Sequence, residues 1–180
     1  MLFETSMQMT AVAIALVAAV IDHKSGRIPN WLTLPALPIA LLTHGFCLGR
    51  FGALSSLVGL VLAALVPWFM HRASAGRAIG GGDVKLFAAL GALTGPSLGL
   101  ELELTSFVVV CFYAMLKLAF RGQLLALLRR ALQLMANPIL PARWRRPLVS
   151  SQLIRVRMGP AIFASSLICA ASAHVTSWWV

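Results

Sequence analysis

Asp22 and Asp83 are the only aspartates in the 180 residues, and each falls where a hydrophobic run meets a basic loop. A carboxylate at that depth is costly unless paired, hydrated or protonated, so it marks a functional site by default. Two carboxylates that share a site cannot both ionise cheaply. One keeps a proton while the other activates water, and this arrangement cleaves amides without a metal or a covalent nucleophile. No HExxH or phosphate-loop pattern competes with it, and Cys47, Cys111 and Cys169 lie far apart with no CxxC pair or Cys/His cluster. No metal and no cofactor is expected.

Gly80, Gly81 and Gly82 lead directly into Asp83-Val84-Lys85-Leu86. Backbone without side chains lets an extended substrate approach and lets a helix start bend sharply. Lys85 is read equally as a cation reaching for the interface or as a helper of the acids. After Asp22, Ser25-Gly26 breaks the helix, Pro29 holds Ile28 extended, and Asn30 can cap a helix starting at Trp31. The helix dipole favours a negative charge at Asp83, near a helix start, and not at Asp22, near a helix end. Taken singly, each acid also fits a solvated helix-end carboxylate or a partner for Lys24, Arg27 or Lys85.

The elements that must position these groups are membrane spans. With 59% hydrophobic and 11% charged residues and a mean hydropathy of +0.87, the chain fits no soluble globular protein, whose charged share is about 25%. Six apolar runs are long enough to cross a bilayer, near residues 5–22, 31–48, 52–70, 83–100, 104–120 and 159–179. The fold class expected is all-α, an integral membrane protein of one domain with about six transmembrane helices and a polar cytoplasmic excursion at 121–158. The first run lacks a cationic leader and a small-residue cleavage site, so it reads as a retained helix.

Fourteen of the fifteen Lys and Arg, all but Arg50, fall on one side of a six-span arrangement, which the positive-inside rule makes cytoplasmic. Both termini, Arg50, Glu101 and Glu103 then face the other way. The net charge of +10 therefore reflects topology and attraction to anionic membrane lipid, and nucleic acid is not expected as a partner. Within the excursion, residues 123–136 have the helical period of a surface-lying amphipathic helix, with Arg129 and Arg130 toward phosphates.

Pro35, Pro38 and Pro67 favour kinks in the second and third spans. The faces Gly52, Ser56, Gly59, Ala63 and Gly91, Gly95, Gly99 suit close helix contact. His44 reads as packed or interfacial, and His23 and His71 as solvated loop residues. The last span opens at Met158-Gly159-Pro160 and closes on the interfacial anchor Trp178-Trp179.

Asp22 with Ile28-Pro29-Asn30, Gly80-Gly81-Gly82-Asp83-Val84-Lys85-Leu86 and Met158-Gly159-Pro160-Ala161-Ile162 together form a recognisable pattern. It resembles the type IV prepilin peptidases, which are GxGD-type membrane aspartyl proteases. The resemblance covers the first 120 residues and touches the last helix. It implies that Asp22 and Asp83 form a catalytic dyad at the cytoplasmic face of the inner membrane. It also implies a prepilin substrate, cut after a glycine and before the hydrophobic helix of the mature subunit. Bifunctional members carry a further cytoplasmic region, often with paired CxxC motifs, and methylate the new N-terminus. This chain looks like the short, peptidase-only form associated with tight-adherence (Flp) pili, and methyltransferase activity is not expected. An archaeal preflagellin-type peptidase, a proton-coupled transporter and a non-enzymatic pilus-assembly scaffold are the alternatives.

Overall fold

The computed structural model describes residues 2–76, 79–120, 122 and 158–176, and the described secondary structure is entirely helical. Four helices follow in order: α1 (Leu2–Ser25), α2 (Asn30–Ala73), α3 (Gly81–Phe120) and α4 (Gly159–Thr176). The expected surface helix at 123–136 and the anchor Trp178-Trp179 lie outside the described residues. Residues 1–109 with 157–180 form one compact unit and residues 110–156 a second. In the described part of the second, the Lys117 ammonium stands 5.8 Å from the centre of the Tyr113 ring.

The helices α1, α2 and α3 are long and apolar enough to cross a membrane. An unbroken helix of 44 residues, the length of α2, would run about 66 Å, roughly twice the hydrocarbon thickness. The chain does not run on in that way. Gly49 leaves the helical region at φ 66° and ψ −159°, and the far side of the break returns so that Gly52 meets the carbonyl of His44. The expected boundary between the 31–48 and 52–70 runs is therefore present.

In α3 the break is earlier than the hydropathy pattern suggests. The apolar run reads straight through to residue 100, yet Gly95 adopts φ 79° and ψ −179°. Pro96 lacks an amide hydrogen and disfavours helical backbone in the residue before it. Glycine is the residue that takes this positive φ without a steric penalty. Beyond the break Gly99 comes back against the Gly91 Cα. The segment Gly95-Pro96-Ser97-Leu98-Gly99 has the GxSxG spacing of a nucleophile elbow. That elbow is a strand-to-helix turn, whereas here two helical segments meet.

Small side chains form the packing seams. Ala11, Ala15, Ala18, Ala19 and Asp22 are the buried stripe of α1, and Gly52, Ser56, Gly59, Ala63 and Pro67 that of the second half of α2. Gly59 and Gly91 meet backbone to backbone, and Ser56 Oγ donates to the Ala92 carbonyl at 2.8 Å. Large apolar side chains point outward, among them Trp31, Phe46, Phe51 and Phe69, while Ser56, Ser106 and Ser165 are fully enclosed. This distribution suits a lipid surround, where close approach through small residues, and not burial of large ones, joins helices. Residues 86–93 are buried on every side, so the first half of α3 is the central helix of the unit.

His44 is packed, as its sequence suggests. Its Nδ1 lies 2.9 Å from the Ala40 carbonyl and its ring meets Phe3 edge to face. Glu103 departs from expectation. Because the helix resumes directly after Gly95, Glu103 lies about two turns inside it, is 2% exposed, and its Oε1 has no hydrogen-bond partner among the described residues.

Candidate active site

Helix α1 ends at Ser25, one turn beyond Asp22. Gly26, at φ 66°, returns its N–H to the Asp22 carbonyl at 2.8 Å, the glycine helix stop expected after Ser25. The Asp22 side chain is 6% exposed, and its Oδ2 accepts the Gly159 N–H at 3.1 Å. Asp22 thus lies at the C-terminus of α1 and also at the N-terminus of α4. The sequence suggests only the first, which opposes a negative charge. The second favours one, because the unpaired N–H groups of a helix start point at it. Gly159 permits the approach: a Cβ there would stand 2.8 Å from both Asp22 Cβ and Oδ2 and 3.2 Å from Ala19 Cα.

Asp83 sits in the first turn of α3, and its Oδ2 accepts the Gly80 N–H at 3.1 Å. This is half of a capping box, in which a side chain three residues in satisfies the amide just outside the helix. The three glycines differ in what they do. Gly82 lies against Ile28, so that a Cβ would stand 3.1 Å from Ile28 Cβ, whereas Gly81 faces His71 and Gly80 faces Asp83. The bare backbone at 82 therefore admits the chain's own Ile28.

The two acids open into one cleft of about 280 Å³ whose walls are Asp22, the 26–28 loop and Gly80–Asp83. Among the described residues, the hydrogen bonds recorded to both carboxylates come from backbone amides. Lys85 goes elsewhere: its Nζ donates to Asn30 Oδ1 at 2.8 Å. The expected cap at Asn30 is not formed. Helix α2 starts one residue earlier, with Pro29 at the cap position (φ −75°, ψ 142°) and no side-chain cap bond, because Asn30 turns its amide to Lys85. Pro29 itself is extended.

Two contacts here were not read from the sequence, those of Gly159 and His71. The signal for the first was present, a glycine directly before the proline that opens a helix. His71, by sequence a solvated loop residue, instead has its Nδ1 2.8 Å from the Ile79 carbonyl oxygen.

Gly159→Ala should push α4 from Asp22, lowering stability by about 1–3 kcal/mol, as overpacking does; the thermal midpoint in detergent measures it, and an unchanged midpoint would contradict the contact. Lys85→Met and Asn30→Ala should each cost about 0.5–1.5 kcal/mol, with the double variant losing no more than either alone. Additive losses would show that the two do not act as a pair.

The chain is thus helical and apolar enough to cross a membrane, with its two aspartates at helix ends in one cleft. The sequence profile of the type IV leader peptidase family matches residues 9–116, and the chain belongs to that family. It is similar to the prepilin leader peptidase/N-methyltransferases of Burkholderia pseudomallei strains 1026b and K96243, 35% identical over 91 residues in each case. The aligned part is 46% of this chain and 28% of each relative, so the chain spans less than a third of their length. No solved structure matches.

Proposed function

We propose that this chain is an aspartyl endopeptidase of the inner membrane that hydrolyses the leader peptide of Flp-type prepilins after a glycine. The observation that carries the reading is that the only two aspartates of the chain share one cleft. Membership of the leader peptidase family supports the reaction class.

In this reading one carboxylate removes a proton from water as its oxygen attacks the scissile carbonyl. The other, protonated, gives its proton to the carbonyl oxygen, forming a neutral gem-diol. Collapse of that intermediate breaks the C–N bond: the first carboxyl gives its proton to the leaving amine, the second carboxylate takes one from a gem-diol hydroxyl, and the pair again holds its single shared proton. Asp22 and Asp83 are the pair. Gly80 and Gly81 line the cleft beside them without side chains, and Lys85, through Asn30, braces the start of α2 against α3.

The reversal at Gly49 divides α2 into two lengths suited to one crossing each, whereas the one at Gly95 leaves a first segment of α3, residues 81–94, of only about 21 Å; the reading keeps six spans on the hydropathy pattern. The basic loops then lie on the cytoplasmic side, both termini on the other, and the cleft at the cytoplasmic membrane boundary. The peptidase reaction is the one this cleft suits, and methyl transfer is not assigned to it.

The test is co-expression with an Flp-type prepilin in a host lacking prepilin peptidase, read by N-terminal sequencing of the pilin. A new N-terminus directly after the leader glycine is expected. An uncut precursor beside a correctly cut archaellin would reassign the substrate, and failure to cut either would overturn the peptidase reading.

A further inference from the structure

We propose that His71 is a positioning residue for the turn that carries Asp83, acting through the peptide that joins Ile79 to Gly80. The inference rests on the peptidase reading and adds a residue to it.

His71 lies in the last turn of α2, and its Nδ1 stands 2.8 Å from the Ile79 carbonyl oxygen. A carbonyl only accepts, so Nδ1 carries the hydrogen and donates it. The ring is enclosed on two sides by chain that lacks side chains. A Cβ at Gly76 would stand 3.2 Å from His71 Cε1, and one at Gly81 3.7 Å. The chain itself turns over the ring, with the Gly76 N–H donating to the His71 carbonyl at 2.8 Å.

The path from ring to carboxylate is a single peptide unit. His71 fixes the carbonyl of Ile79, a residue 3% exposed. The planar peptide bond makes the orientation of that carbonyl also the orientation of the Gly80 N–H. That N–H donates to Asp83 Oδ2 at 3.1 Å. Gly80, Gly81 and Gly82 have no side chains with which to hold the plane themselves, so an outside donor is needed to fix it. Loss of the bond frees the plane to rotate and with it the amide that aims the Asp83 carboxylate. Small misplacements of a reacting group cost up to about a hundredfold in rate while leaving substrate affinity alone.

The experiment compares purified wild type with His71→Asn, His71→Gln and His71→Phe in detergent, by leader-cleavage kinetics and by amide hydrogen exchange across residues 79–83. The Asn amide nitrogen occupies nearly the place of Nδ1, whereas that of Gln lies one carbon further out. His71→Phe and His71→Gln are expected to lower kcat about tenfold or more with KM within about twofold, and His71→Asn to stay within about threefold of wild type. Exchange at Gly80 should quicken about fivefold or more in Phe and Gln and not in Asn, as loss of one hydrogen bond implies. Should the Phe variant unfold, the Asn and Gln pair decides. Equal kcat in Asn and Gln, a loss confined to KM, or unchanged exchange at Gly80 in the Gln variant would each overturn the inference. If wild type cuts no prepilin, the peptidase reading falls and exchange at Gly80 still decides whether His71 holds the turn.

Discussion

Asp22→Asn and Asp83→Asn are each expected to lower leader cleavage by about a thousandfold or more, while the protein stays folded. Asparagine keeps the acceptor that each cap uses: its Oδ1 can take the Gly159 N–H in place of Asp22 Oδ2, or the Gly80 N–H in place of Asp83 Oδ2. As helix caps Asn and Asp are nearly equivalent. The thermal midpoint should therefore correspond to a change within about 1 kcal/mol. What asparagine cannot do is exchange a proton with water or with the scissile group, and loss of positioned acid–base chemistry costs about 10²–10⁴-fold per group. The two outcomes separate the roles. If the acids are only helix caps, cleavage should survive both changes, and if they are the catalytic pair, stability should survive while cleavage does not. Cleavage rates and thermal midpoints on the same preparations make the comparison.

The largest loss of stability is expected at Gly91. Any Cβ there would run into the carbonyl of Gly59 and the Ala63 Cβ, and a Cβ at Gly59 would meet Gly91 in return and stand 3.0 Å from Gly95 Cα. These are backbone atoms and a Cβ fixed to the backbone within the seam between α2 and the buried first half of α3, so nothing can swing aside to make room. Gly91→Val is expected to cost about 3 kcal/mol or more, at or above the upper end of ordinary overpacking, a large share of the roughly 5–15 kcal/mol that holds a domain together. Gly45→Ala is the control. Its Cβ would stand an ordinary 3.6 Å from the Ala53 Cβ, and alanine is the better helix former by about 1 kcal/mol. Thermal midpoints in detergent should fall sharply for the first and hold or rise for the second. Equal midpoints would mean that the seam is not close-packed.

Much of this arrangement is legible in the sequence because it is local. The rarity of aspartate, the Ser25-Gly26 helix stop, the extended Pro29 and the reversal near Gly49 all follow from neighbours in the chain. The break at Gly95 was obscured by a competing pattern. Gly91, Gly95 and Gly99 at four-residue spacing look like one packing face of one helix, and Pro96 has to be given more weight than that periodicity. Placing the break there also explains why Glu103 is enclosed and not in a loop.

What the sequence does not carry is pairing across long separations. Asp22 meets Gly159 and Lys85 meets Asn30 only after the helices have packed. Local propensity gave Asn30 a capping role, and a tertiary hydrogen bond to a lysine took its place. His71 gave no periodic signal, and its relation to Ile79 spans a chain reversal.

The claim at the centre of this account is that two carboxylates act on one water as a unit. The most direct measurement is single-turnover leader cleavage, with enzyme in excess over a prepilin, for Asp22→Asn, Asp83→Asn and the double variant. Groups that act as a unit are strongly non-additive, so the double variant should be no slower than either single variant, within about threefold. Losses that multiply in the double variant, or a single variant that cuts at the wild-type rate, would contradict it.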